Sequence, residues 1–90
     1  MNSQRQLRDL ISVGPAIERD FHLLGIRTVP QLAKHDPDLL FSRLERLTGT
    51  RQDPCVLDVL HAAVAQARNP RLLLEKCQWW YWSRKRKSAK

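Results

Sequence analysis

Ninety residues, 42% of them hydrophobic, with a formal charge of +7, describe one small domain and exclude both a disordered chain and a two-lobed enzyme built around a deep cleft. The polar start, MNSQRQLRDL, has no signal-peptide pattern, and no apolar run approaches the roughly 20 residues that cross a bilayer, so no membrane role is expected and the expected setting is the cytoplasm. The charge is uneven: Arg84, Lys85, Arg86, Lys87 and Lys90 supply 5 of the 16 basic residues, and without them 11 bases face 9 acids.

Helix signals recur along the chain. Ser3 and Gln6 have capping-box spacing, and Leu7, Leu10 and Ile11 follow at helical intervals, which predicts a first helix over about residues 4–10. ISVGP interrupts it. Pro15 suits the first position of a second helix, because its missing N–H would be unpaired there anyway. Ile17, Phe21 and Leu24 share one face of that helix and Gly25 stops it. Thr28 with Gln31 repeats the capping box and starts a short third helix through Lys34. Asp36 and Pro37 open a fourth, with a stripe of Leu40, Leu44 and Leu47 and a plausible C-cap at Gly49. Asp53 and Pro54 open a fifth, whose Val56, Leu57, Leu60, Ala63, Val64 and Ala67 cover a broad arc, so it is expected to be the central buried helix; Asn69–Pro70 ends it.

No strand alternation appears, and the expected fold is all-α: five helices packed as two successive hairpins, with residues 1–83 as the domain and 84–90 as a basic tail. The expected core is Leu7, Leu10, Ile17, Phe21, Leu24, Ile26, Leu32, Leu44, Leu47, Val56, Leu60 and Val64.

Between domain and tail stands QWWYWSRKRK, which holds four of the six aromatic residues. Helical spacing puts Trp79 and Trp82 on one face, so these two are expected to dock on the helices and to leave Trp80 and Tyr81 exposed. The cluster reads as a structural latch or as a stacking platform for bases of single strands or distorted duplex. The basic run attracts polyanions such as DNA, RNA or anionic lipid, or serves solubility alone.

Catalytic and metal patterns are weak. Cys55 and Cys77 have no zinc-ligand spacing and are expected to be buried reduced thiols; a two-cysteine metal or redox site with His61 is the sharper alternative. His22, His35 and His61 are isolated, and His61 one turn after Asp58 reads as a surface pair. Asp36, Asp38 and Asp53 sit at helix starts, where capping explains them. With no P-loop, nucleophile elbow or ligand series, no enzyme, catalytic residue, cofactor or metal is expected.

LRDLISVGPAIERDFHLLGIRTVPQLA resembles a helix-hairpin-helix unit. Such a turn aims backbone N–H groups outward at a helix N-terminus, whose positive end favours an anion. In the Ser12–Ile17 turn the amides of Val13, Gly14, Ala16 and Ile17 are the candidate donors, Arg19 is the nearby base, and a phosphate held this way is gripped without reading sequence. The segment departs from the usual Gly-hydrophobic-Gly turn at Ser12 and has Ala16 where a base is common. Glu18 and Asp20 add acids, so a purely structural hairpin stays open. Gly49 to Asp53 reads as a degenerate second hairpin with Arg51 at its tip.

The segments SVGPAIERDFHLLGIRTVPQLA, LTGTRQDPCVLDV, AAVAQARNPRL and CQWWYWSRKRK together resemble the bacterial pathogenicity-locus family of small helix-hairpin-helix proteins, sometimes labelled mitomycin-resistance proteins, over about Gln6 to Lys87. The resemblance implies a sequence-independent DNA-binding protein, linked to DNA repair or processing, that contacts the phosphate backbone. Ser12–Ile17, Arg19, Arg51, Trp80, Tyr81, Arg84, Lys85, Arg86 and Lys87 are the candidate contacts. The alternative is an adaptor that uses the same fold to bind a partner protein.

Overall fold

Prolines set the starts of the helices. In the computed structural model, which describes residues 5–88, α1 (Pro15–Leu23), α3 (Pro37–Thr48) and α4 (Pro54–Arg68) each begin on proline, and α2 (Val29–Ala33) has one at its second position. The caps are local and strong. The Gln31 N–H donates to Thr28 Oγ1 at 3.2 Å while Gln31 Oε1 accepts from the Thr28 N–H at 3.3 Å. Asp36 and Asp53 each accept the N–H two residues on, at 2.8 Å. Gly49 ends α3 with φ +67, in the left-handed region that favours glycine.

Five α-helices are present among the described residues, but not the five expected. The first expected helix is only a 3-10 turn, Leu7–Asp9, with the Gln6 N–H on Asp9 Oδ2 at 2.7 Å; Ser3 and Gln4 lie outside the described residues. So short a helix is marginal by itself, and tertiary contacts bury Leu7 and Leu10 while drawing the Ile11 backbone onto α4. The fifth helix is instead α5 (Trp79–Ser88), which follows a second 3-10 turn, Leu74–Cys77. The residues read as a basic tail are therefore, through Ser88, the second half of α5.

Helix α4 is central, packing on α2, α3 and α5. Its Leu60, Ala62, Ala63 and Val64 are buried with Phe21, Leu32, Leu40 and Leu44. Ile17 and Val56 border this core half-buried. Leu47 departs from expectation at 55% exposed: it sits in the last turn of α3, level with the exposed start of α4 at Pro54 and Cys55.

Helix α5 runs antiparallel to α4, since Gln66 meets Cys77 and Asp58 meets Arg86. The docked face carries Trp82, Ser83 and Arg86, and Ser83 is buried. This corrects the expected aromatic pair. Trp82 stacks on His61 with centroids 5.5 Å apart, donates its indole N–H to the Lys76 carbonyl at 2.8 Å, and takes Tyr81 edge-on at 5.2 Å. Trp79, one turn earlier, is 41% exposed, and Tyr81 is half-buried rather than exposed. Trp82→Ala is therefore expected to lower unfolding free energy by about 2 kcal/mol, below the range for a fully buried ring, and Trp79→Ala by less than about 1 kcal/mol. Urea titration compares the two; a larger loss at Trp79 would contradict this packing.

Candidate nucleic-acid interface

The turn before α1 is held by a buried amide. Gln66 on α4 accepts the Ile11 N–H and donates to the Ile11 carbonyl, both at 2.9 Å, and also reaches the carbonyls of Ala62 and Cys77. Ser12 adopts φ +77, in the left-handed region that favours glycine. Its Oγ donates to the Cys77 carbonyl at 3.4 Å. The turn thus sits against Cys77, two residues before α5.

Of the four candidate amides, three have no protein acceptor among the described residues: Gly14, the N-cap of α1, and Ala16 and Ile17 behind Pro15. Val13 does not join them. Its side chain is buried and its N–H donates to the Leu10 carbonyl at 3.2 Å. Nearby charge is mixed. Glu18 lies 3.6 Å from Arg8, burial pushes the Asp20 carboxyl up, and Arg19 is exposed.

Helix α5 carries the other candidates. Trp80 is 40% exposed, and the Arg84 guanidinium lies 4.9 Å over its ring while reaching Glu75 at 3.6 Å. The Lys85 ammonium lies 5.9 Å from the rings of Tyr81 and Trp82, and Lys87 is exposed. Tyr81, Arg84, Lys85 and Ser88 line a shallow hollow of about 520 Å³. Arg86 points the other way. It makes two parallel hydrogen bonds of 3.0 Å to the Asp58 carboxylate, which is 1% exposed, and those bonds hold the guanidinium above its usual pKa. Arg86 is thus a structural residue; its fork is occupied within the fold. His61, read as the neighbour of Asp58, meets Asp38 at 3.2 Å instead; Asp38, expected to cap, does not, since Asp36 caps α3 and takes the Asp38 N–H.

The expected site is therefore divided. Ser12, which opens the turn, reaches the Cys77 carbonyl, two residues before Trp79 opens α5. Arg84 reaches back to Trp80 and Glu75, while Lys85 and Lys87 flank Arg86 toward the other end, where α4 begins. The Gln66 and Asp58 anchors are eight residues apart on α4, about 12 Å along the axis. Arg51 is exposed at that far end. The connector there does not repeat the first hairpin, because the Glu45 carboxylate accepts the Gln52 N–H at 2.9 Å, a protein anion on the backbone amide.

The cysteines are separated as well. Cys55 is exposed at the start of α4, contrary to expectation, and Cys77 is buried near its end, so about 16 Å of helix separates their levels. The hydrogen bond with Asp53 pushes the Cys55 thiol up and burial does the same for Cys77, which disfavours the reactive thiolate. Among the described residues no three His, Cys, Asp or Glu side chains gather to hold a metal ion, and no helix is long and apolar enough to cross a membrane.

Gln66 and the Asp58–Arg86 pair escaped sequence reasoning. The available signal was a polar residue inside the apolar arc of α4, at positions 58 and 66.

No solved structure matches the chain. The mitomycin resistance protein McrB of Streptomyces lavendulae is 37% identical to it over 81 residues, which cover 90% of this chain and 73% of that protein. The family model described as "Pathogenicity locus" matches residues 1–88, and with its helical fold and basic last helix the chain belongs to that family of small bacterial proteins.

Proposed function

We propose that this protein is a cytoplasmic, non-enzymatic DNA-binding module that grips the phosphate backbone without reading sequence. The observation that carries the reading is the outer face of α5, where Trp80, Arg84, Lys85 and Lys87 are displayed on a helix anchored to the core. The amides of Gly14, Ala16 and Ile17 add a second anion-favouring feature, which supports reading Leu7–Ala33 as a helix-hairpin-helix unit. The link to DNA repair or processing rests on the resemblance to other helix-hairpin-helix proteins.

A second reading, a protein-interaction adaptor, has its own observation. Leu73 and Leu74 are 65% and 67% exposed where the second 3-10 turn starts, and Ile11 is exposed in the chain segment bound to Gln66.

DNA binding across a salt series separates the two. Replacing Lys85 and Lys87 together by Ala is expected to weaken binding and to flatten the slope of log affinity against log salt by about 2, one counterion per lost phosphate contact. Ala16→Asp, which sets a negative charge beside the free amides, is expected to weaken binding further. Unchanged affinity and slope in both variants would favour the adaptor.

A further inference from the structure

We infer that the outer face of α5 takes unpaired bases, so that the ligand class is DNA with a single-stranded segment rather than intact duplex; this rests on the DNA-binding reading above. Two of the four rings of the aromatic cluster are not consumed by the core. Trp82 alone makes the docking contacts with His61 and Lys76, while Trp79 and Trp80 remain 41% and 40% exposed. Large rings left exposed on a small domain are unusual unless something covers them.

Their neighbours say what kind of ligand fits. At helical spacing Trp80, Arg84 and Lys87 form one stripe and Tyr81 and Lys85 a second beside it, with the hollow lined by Tyr81, Arg84, Lys85 and Ser88 between them. Each stripe starts on a ring and ends on a cation. The Arg84 guanidinium lies 4.9 Å over the Trp80 ring, so a base that stacks there displaces it or takes the opposite face, with the cations of the stripe close by for its phosphate. Every base offers the same π-face, so the arrangement selects no sequence. From Trp80 to Lys87 the helix rises about 10 Å, room for about three nucleotides at about 3.4 Å each. Intact duplex hides the faces of its bases in the stack and leaves the rings without a partner.

Glu75 limits the site. It holds Arg84 at 3.6 Å, with both side chains more than half exposed, so a phosphate competes with a carboxylate for that guanidinium.

The test compares oligothymidylate with a duplex of equal length and with the same duplex carrying a single-stranded extension, by fluorescence anisotropy of labelled DNA. Circular dichroism confirms that each variant is folded. The expected results are tighter binding of the single strand and of the extended duplex than of the blunt duplex, and about a tenfold loss for Trp80→Ala on single strands, with little change on blunt duplex. Trp80→Phe is expected to restore most of that loss, and Glu75→Gln to tighten single-strand binding about threefold. Equal affinity of wild-type protein for single strand and blunt duplex, or a Trp80→Ala loss of the same factor on both, would overturn the inference. If blunt duplex binds with a salt slope that depends on Lys85 and Lys87 while Trp80→Ala changes nothing, base stacking fails and the DNA-binding reading stands. If none of the three DNAs binds, both fail.

Discussion

Arg86→Met is expected to destabilise the fold severely, although the residue looks like one of several exchangeable cations in a basic run. Its guanidinium makes both hydrogen bonds to Asp58, and leaving that carboxylate, 1% exposed, without its partner costs on the order of 3 kcal/mol. A small domain has about 5–15 kcal/mol of stability in total, so the loss should appear as a large drop in urea midpoint and in Tm. The double variant Arg86→Met with Asp58→Leu tests the cause. It removes both charges and supplies apolar volume, and is expected to recover most of the stability, because a matched apolar pair stands in for a buried ion pair at little net cost. Full loss in the double variant would mean that Arg86 acts through something other than Asp58. The same geometry governs truncation. Removing everything from Arg84 onward strips Asp58 of its partner and cuts α5 in half, so a loss of DNA binding in that variant would report unfolding; replacing Lys85 and Lys87 leaves the pair intact.

Gln66→Leu is the second change with a large expected effect. The leucine keeps much of the volume but leaves the Ile11 N–H and carbonyl without the partners that now lie at 2.9 Å. Each unsatisfied buried group costs about 1–3 kcal/mol, and with partial access to water at the Ile11 turn the expected total is about 2–4 kcal/mol. The loss should be concentrated locally. Amide exchange at Ile11 and Val13 should accelerate more than at Leu60 or Val64, because the hairpin loses its attachment to α4 while the helix core keeps its own contacts. Uniform acceleration across the chain would place Gln66 in the global core instead. Gln66→Glu is a complementary probe: it retains an acceptor for the Ile11 N–H but sets a carboxylate oxygen against the carbonyls of Ile11, Ala62 and Cys77, so at neutral pH it is expected to be at least as destabilising as Leu.

What the amino-acid sequence determined by itself was local. The starts of α3 and α4 at Asp–Pro pairs, the Thr28–Gln31 capping box, the left-handed Gly49 and the apolar arc of α4 all depend on residues within a few positions of one another, and each was legible without coordinates. The family was legible for the same reason, since its segments read as local patterns across nearly the whole chain. The candidate site was legible only as an inventory of residues. The tertiary structure decided which of those residues are free to act: Val13 uses its amide on Leu10, and Arg86 uses its guanidinium on an acid 28 residues away. Trp82 rather than Trp79 carries the docking contacts, and the turn before α1 is shaped by Gln66, 55 residues from Ile11. A capping box is specified by backbone geometry over one turn, whereas a buried polar group is specified by whichever distant partner spares it an unsatisfied bond, and that partner is known only once α4 and α5 lie side by side.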